Sequence, residues 1–202
     1  MAEKKLLLAT GNAGKIAEFR ELLSGMDIQV LGLGDTPQGD MEPPEETGAT
    51  FEENAIIKAR CWMERTGLPV IADDSGLAVD ALNGEPGVRS ARYAGPEATT
   101  PKNNALLLER LSGVPGDSRA AEFHCCIALC RPGLPQVTFD GKVEGVITES
   151  PAGENGFGYD PLFFYPPMQR TFAQLSSAEK NRVSHRADAL RKLALWLESN
   201  PL

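Results

Sequence analysis

The chain has 202 residues, 42% hydrophobic and 24% charged, with a formal net charge of −8; that is enough apolar material for a substantial core and too much for a disordered chain. No apolar run approaches the roughly 20 residues that cross a bilayer, and the acidic balance opposes extended nucleic-acid binding, which needs a basic stripe to displace condensed counterions. A small polyanion is not excluded, because local cations and a metal ion in a cleft suffice to hold one.

In chain order, the basic start and short apolar run of Met1 to Ala9 are too short for a secretory leader, and Leu6 to Ala9 read as a first strand of a cytoplasmic protein. A turn over Thr10, Gly11 and Asn12 leads to a helix, in which Ile16, Phe19, Leu22 and Leu23 recur at helical spacing. A polar connection rich in proline and glycine, Gly32 to Ala49, precedes a second helix from Thr50 to about Arg65, opened by the capping box Thr50-x-x-Glu53. The β-branched run Pro69 to Ala72 predicts a buried strand ending in Asp73, Asp74, Ser75 and Gly76.

Apolar character resumes at Leu77 to Val79, a glycine-rich loop covers Asn83 to Gly95, and Thr100-Pro101 starts a helix carrying Leu106, Leu107 and Leu111. Phe123 to Cys130 and Val137 to Ile147 read as an antiparallel portion with a turn at Arg131-Pro132-Gly133. Pro151 to Tyr159 form a glycine-rich loop, and Ser176-x-x-Glu179 caps a final helical region with Leu190, Leu193 and Leu197 as its core stripe. This order predicts an α/β fold over residues 1–202: a mixed central sheet flanked by helices, in two lobes with the active-site cleft between them.

Three constellations carry chemistry. Asp73 and Asp74 are adjacent carboxylates, which repel unless a proton or cation lies between them; a hard ion such as Mg²⁺ prefers such oxygens and keeps coordination positions for a phosphate. The turn Thr10-Gly11-Asn12-Ala13-Gly14-Lys15 combines approachable backbone amides, a helix N-terminus and a full positive charge. It is not a Walker A loop, because two residues rather than four separate the glycines and Ile16 follows the lysine. Phe157, set between glycines and followed by Tyr159 and Asp160, suits stacking on a purine, with Lys180, His185 and Arg186 as further donors. Asn54 and Lys58 share a helical face that is either solvated or aimed at phosphates. His124, Cys126 and Cys130 share a strand face but lack a fourth ligand, and buried free thiols are the simpler reading.

Together the blocks Ala9 to Lys15, Glu45-Glu46-Thr47-Gly48, Phe51-x-x-Asn54-Ala55-x-x-Lys58-Ala59, Ala72 to Leu77, Ser90-Ala91-Arg92-Tyr93, Gly156 to Pro161 and Ser184-His185-Arg186 closely resemble the inosine triphosphate pyrophosphatase family, of the bacterial dITP/XTP type. The resemblance covers nearly the whole chain in order. It implies Mg²⁺-dependent hydrolysis of ITP, dITP and XTP to the monophosphate and pyrophosphate in a homodimer. Carried over, Thr10, Gly11, Asn12, Ala13, Gly14 and Lys15 hold the triphosphate, and Asp74 binds the metal and takes the proton of the attacking water. Glu45 is the second metal ligand, with Glu46 as its competitor. Ser75, Phe157, Gly158, Tyr159, Asp160, Lys180, His185 and Arg186 bind the nucleotide. A sensor that binds without cleaving would leave Asp73, Asp74 and Glu45 without a task, and a phosphatase of the septum-inhibitor type would act on pyrimidine or modified triphosphates instead.

Overall fold

The computed structural model describes residues 4–202, so the start of the N-terminal stretch discussed above, residues 1–3, lies outside the described residues. The described chain forms an α/β fold with a seven-stranded sheet of order β2-β1-β3-β4-β5-β6-β7, built from β1 (Lys5–Leu8), β2 (Gln29–Gly32), β3 (Val70–Val79), β4 (Ala120–Cys130), β5 (Val137–Ile147), β6 (Phe163–Tyr165) and β7 (Arg170–Thr171). Its helices are α1 (Ala13–Leu23), α2 (Phe51–Thr66), α3 (Thr100–Arg110), α4 (Ser177–Val183) and α5 (His185–Ser199). The chain divides into two compact units, with the divisions falling within β3, β4 and β5 and at the start of α5.

The first unit comprises Met1–Asp74, Cys125–Gly141 and Arg186–Leu202. Its strands β1, β2 and β3 pair in parallel, Lys5 to Leu8 against Gln29 to Gly32 on one side and Leu7 and Leu8 against Val70 and Ile71 on the other. Strands enclosed on both sides need apolar residues throughout, and Leu6, Leu7, Leu8, Val70, Ile71 and Ala72 are all fully buried. Leu6, Leu8 and Ile71 join Phe19, Leu190 and Leu193 in one core cluster, whereas Leu7, Val70 and Ala72 join Ala55, Ala59 and Trp62 in another. The period-2 alternation of the strands thus divides their side chains between two packed layers.

Local signals set the helix ends. The Asn12 side chain accepts from the Lys15 amide to cap α1, and both halves of the Thr50/Glu53 capping box form at the start of α2. The latter helix stops at Gly67, whose φ of 68° is open to glycine without strain. Strand β2 carries no local strand pattern: only Gly32 of its four residues is buried, and pairing with β1 holds it in place.

The second unit comprises Ser75–His124 and Lys142–His185, around a core that includes Leu77, Leu107, Phe123, Phe163 and Phe172. Strands β5, β6 and β7 pair antiparallel, and β6 and β7, three and two residues long, are strands that the sequence pattern does not announce. The final helical region is two helices rather than one, because Ser184 adopts an extended conformation with ψ of 156° between α4 and α5.

One sequence expectation needs correction. Strand β3 does not end at the paired carboxylates but runs on through Ser75 and Gly76 to Val79. The neighbouring strand β1 stops instead: its last partner on β3 is Ile71, so Asp73 and Asp74 lie just past its carboxyl end. The expected feature, carboxylates beyond the end of a parallel strand, is therefore present through β1.

Candidate active site

The first unit carries two charged centres back to back on β3. Because side chains alternate across a strand, adjacent aspartates cannot share a face, and the cations in contact differ: Lys15 and Arg186 at Asp73, Lys58 at Asp74. Asp73 Oδ2 lies 2.7 Å from Lys15 Nζ and 3.4 Å from Arg186 Nε, with its side chain only 1% exposed. Burial alone would raise its pKa, but Lys15, Arg186 and Lys58 outweigh burial and hold the carboxyl far below the usual carboxylate range. Asp73 is thus a fixed anion, and the idea of one ion lodged between the two aspartates gives way to two separate centres.

Asp74 has a different environment. Its Oδ2 accepts from Asn54 Nδ2 at 3.2 Å and its Oδ1 from Lys58 Nζ at 3.3 Å. The same ammonium lies 3.1 Å from Glu46 Oε1, so a single positive charge is divided between two carboxylates. Burial raises the Asp74 pKa, Lys58 opposes it, and the like charge of Glu46 pushes it up again, leaving it above the ordinary value. Burial would lower Lys58, but Asp74, Asp73 and Glu46 together raise it.

Asn54 and Lys58 come to this centre from successive turns of α2, which answers the question their spacing left open: both are turned toward Asp74. Asn54 also accepts the Gly48 amide at 2.8 Å, and Arg65 Nη1 donates to the Glu42 carbonyl at 2.7 Å, so two bonds fasten the 42–48 segment to α2. Gly48 fits there because a Cβ would stand 2.7 Å from Asn54 Oδ1. Within that segment Glu46 faces Lys58, whereas Glu45 is exposed.

Asp74 and Glu46 supply hard oxygen donors that one lysine compensates only partly, a donor set that suits Mg²⁺. No three His, Cys, Asp or Glu side chains gather into a metal cluster among the described residues. An ion here would complete its shell from phosphate oxygens and water, as Mg²⁺ commonly does.

The turn before α1 presents an exposed backbone: Gly11, Asn12, Ala13 and Gly14 are exposed, and Lys15 and Thr10 are half-buried. Thr10 Oγ1 accepts from the Asn12 amide at 3.2 Å and Asn12 Oδ1 from the Lys15 amide at 3.1 Å, fixing the turn around the start of the helix. Remaining first-turn amides and Lys15 give it the character of an anion site.

In the second unit the Phe157 loop is built around a buried ion pair. Lys180 Nζ contacts Asp160 Oδ2 at 2.6 Å, with side chains 6% and 3% exposed, and sits 4.6 Å from the centre of the Phe157 ring. Asp160 also accepts the Phe157 amide at 2.9 Å. Gly156 has φ of 75°, and a Cβ there would fall 2.0 Å from Asp160 Oδ2, so only glycine lets the carboxylate close the turn. The Gly158 carbonyl is held by Asn104 at 3.1 Å, and Phe157 remains 37% exposed. With a cation over the ring and part of the side chain exposed, Phe157 has the character of a stacking surface.

Several expected ligands have other partners. Tyr159 is buried and donates its hydroxyl to the Ser90 carbonyl at 2.8 Å. Ser90 in turn accepts from the Leu77 amide and donates to the Gly87 carbonyl, so the Ser90-Ala91-Arg92-Tyr93 block braces this unit. His185 is 4% exposed and stacks on Phe123 at 4.8 Å. Arg186 is buried at 1% exposure in the first unit, its guanidinium engaged by Glu18 and Asp73. Ser75 is half-buried on β3. Three of the four cysteines are core residues: Cys126 and Cys130 pack with Ala55 and Trp62, and burial pushes the Cys125 thiol up to about 12; Cys61 is half-buried, and His124 pairs with Glu122.

A family model described as the Ham1 family matches residues 6–196. The chain is 51% identical over 198 residues to the dITP/XTP pyrophosphatase of Bacillus licheniformis, covering 96% of this chain and 98% of that protein. It is 49% identical over 195 residues to the dITP/XTP pyrophosphatase of Halalkalibacterium halodurans, covering 96% and 100%. The solved structure of the Staphylococcus aureus Ham1 protein superposes with a TM-score of 0.88 at 43% identity, over 98% of this chain and 100% of that one. With the family model and these relatives matching over nearly its whole length, the chain belongs to the Ham1 family.

Proposed function

We propose that this protein hydrolyses the non-standard purine nucleoside triphosphates ITP, dITP and XTP to the monophosphate and pyrophosphate, removing them from the pool used for nucleic-acid synthesis. The relatives named dITP/XTP pyrophosphatase support the activity. The observation that carries the chemistry is Asp74, a buried carboxylate whose lysine is shared with Glu46. Burial and the neighbouring Glu46 charge make this carboxylate more basic than a solvated aspartate, which suits a group that must take a proton from water.

In this reading the amides of Gly11 to Gly14 and the Lys15 ammonium bind the triphosphate, and Thr10 and Asn12 keep the turn in shape. Asp74 orients a water molecule and takes its proton as the water oxygen bonds to the α-phosphorus. The bond from the α-phosphorus to the bridging oxygen breaks, and pyrophosphate leaves. Asn54 and Lys58 hold the Asp74 carboxylate in place throughout. Asp74 and Glu46, with Glu45 nearby in the chain, are the residues that would hold Mg²⁺, and the ion would neutralise charge on the phosphates. Phe157 stacks on the base, and Ser75 and the donors around Asp160, Lys180 and His185 complete nucleotide binding. A buried site that donates to an oxo substituent leaves an amino group unmatched, which disfavours ATP by a few kcal/mol. The working form in this proposal is a cytoplasmic homodimer.

The test is to incubate the protein with Mg²⁺ and ITP, XTP, dITP, GTP, ATP or dTTP and resolve the products by anion exchange. Monophosphate and pyrophosphate from ITP and XTP, with little from ATP, is the expected result. A diphosphate product, or binding without turnover, would overturn the reading.

A further inference from the structure

In the second unit a closed circuit of hydrogen bonds links α3 to the Phe157 loop. It joins two consecutive residues of the helix, Asn103 and Asn104, to two consecutive residues of the loop, Gly158 and Tyr159. Asn104 Nδ2 donates to the Gly158 carbonyl at 3.1 Å. Asn103 Nδ2 donates to the carbonyls of Ser90 at 3.2 Å and Ala91 at 3.1 Å, and its Oδ1 accepts the Ala94 amide at 2.8 Å. The Tyr159 hydroxyl closes the circuit on the same Ser90 carbonyl at 2.8 Å. Asn103 and Tyr159 are buried core residues, whereas Asn104 is half-buried.

We propose that Asn104 is a positioning residue for nucleotide binding: by holding the Gly158 carbonyl from α3, it fixes the stance of the Phe157 ring. This rests on the reading of Phe157 as the surface on which the base stacks. Phe157 lies between Gly156 and Gly158, whose φ values are 75° and 63°. Glycine makes such conformations accessible but does not select them, so the loop must be fixed from outside. Its two ends are tied to Ala173, through the Asn155 amide at 3.0 Å and the Asp160 carbonyl at 3.1 Å. Between those ends Asp160 accepts the Phe157 amide, and Asn104 holds Gly158, the residue that follows the ring.

The Asn104 amide has a single task. Its Oδ1 is buried and has no hydrogen-bond partner among the described residues, and a buried acceptor left unmatched costs stability. Asparagine is also a poorer helix former than leucine, which has a similar size. Stability alone would therefore favour an apolar side chain at this position of α3. What asparagine supplies is the Nδ2 donor, and the group that uses it belongs to the loop that presents Phe157.

The experiment compares wild type, Asn104→Leu, Phe157→Ala and the double variant. The readouts are KM and kcat on XTP, and calorimetric affinities for XMP and for inorganic tripolyphosphate, which has no base. Asn104→Leu should raise KM and weaken XMP binding by about fivefold, the equilibrium equivalent of one ordinary hydrogen bond. Its kcat and tripolyphosphate affinity should stay close to wild type, because the reacting groups are untouched. Its preference for XTP over ATP should also hold, since every base offers a face to stack on. Phe157→Ala should weaken XMP binding at least as much, and in that background Asn104→Leu should add nothing, because Asn104 acts through the ring.

Equal losses with and without the ring would overturn the proposal in favour of a general structural role, as would a parallel fall in kcat or in tripolyphosphate affinity. Should Asn104→Leu fail to fold, Asn104→Asp, which keeps the size and the acceptor but has no donor, replaces it with the same expected pattern; failure of both to fold would assign Asn104 to the core and overturn the proposal. Weakened XMP binding in Phe157→Ala with wild-type behaviour in Asn104→Leu would defeat the positioning role alone. Unchanged XMP binding in Phe157→Ala would defeat the stacking reading and the proposal with it. XMP binding needs no turnover, so an absence of pyrophosphatase activity in wild type would defeat the hydrolytic reading while leaving this test intact.

Discussion

Two buried aspartate–lysine pairs in this molecule have the same chemistry and opposite character. Asp160 and Lys180 approach to 2.6 Å, both nearly sealed from water, and the carboxylate is further tied to the Phe157 amide. Asp74 and Lys58 stand 3.3 Å apart, and the lysine also serves Glu46 at 3.1 Å. A closed pair is a strut, because each charge is compensated by the other and removal of one orphans its partner. A shared pair leaves carboxylate charge in excess, which is what a proton acceptor and metal ligand require. What separates the two pairs here is that Lys58 also serves Glu46, and under the proposed function that leaves Asp74 as the carboxylate that does the chemistry.

The sharpest way to break that comparison is to neutralise both acids in turn. Asp74→Asn should lower turnover by about 10²–10⁴-fold, the range typical for loss of a positioned general base. Its melting temperature should stay near wild type, because Lys58 keeps Glu46 as a partner. Near-normal activity would end the assignment of Asp74 as base. Asp160→Ala should do the reverse to stability, leaving the Lys180 ammonium buried against Phe157 without its carboxylate. The expected loss is about 3–5 kcal/mol in urea unfolding. A loss below about 1 kcal/mol, the scale of an exposed pair, would show that the pair is no strut.

A smaller effect is expected at Gly156, where the loop and the strut meet. With φ at 75° and a prospective Cβ 2.0 Å from Asp160 Oδ2, alanine must either strain the backbone or displace the carboxylate. The backbone alone contributes about 1–2 kcal/mol. Displacing Asp160 should also raise KM for the nucleotide with little change in kcat, as the proposed role of this loop in base binding requires. Unchanged KM would separate the loop from the substrate.

What could be read from the sequence follows the range of the interaction concerned. Caps and helix starts were legible because they are settled within a few residues: Thr50 with Glu53 and Ser176 with Glu179 both form the boxes their spacing predicts. The second helix and the apolar strands were legible from periodicity. The fate of each charge was not, because it depends on partners far along the chain. Arg186 finds Glu18 across 168 positions and Asp73 across 113, so nothing near Ser184-His185-Arg186 signals that the arginine is enclosed. Nothing beside Phe157 likewise signals that the Tyr159 hydroxyl is taken by Ser90, 69 positions away. Alternation along β3 could have warned that Asp73 and Asp74 face apart, but only once the strand was known to continue past them.

The smallest effect tests the other end of the scale, a carboxylate that is neither buried nor shared. Glu179 closes the capping box of α4 with Ser176 and pairs with Arg170 at 2.6 Å. Hydrogen bonds from the Ser176 backbone, the Arg170 side chain and the Ser176 hydroxyl lower its pKa from 4.5 to about 2. A group whose pKa is depressed in the folded state favours folding above its unfolded pKa, and that contribution disappears as pH falls through the folded value. The window therefore runs from about pH 4.5 down to about pH 2. Glu179→Gln should lower the melting temperature slightly at pH 7, and the gap from wild type should shrink progressively across that window. The helix retains its N-terminal hydroxyl cap in both proteins, so a gap that stayed constant with pH would mean that the glutamate acts by shape rather than charge. A gap that closed only below pH 2 would mean that Arg170 holds it more tightly than an exposed pair should.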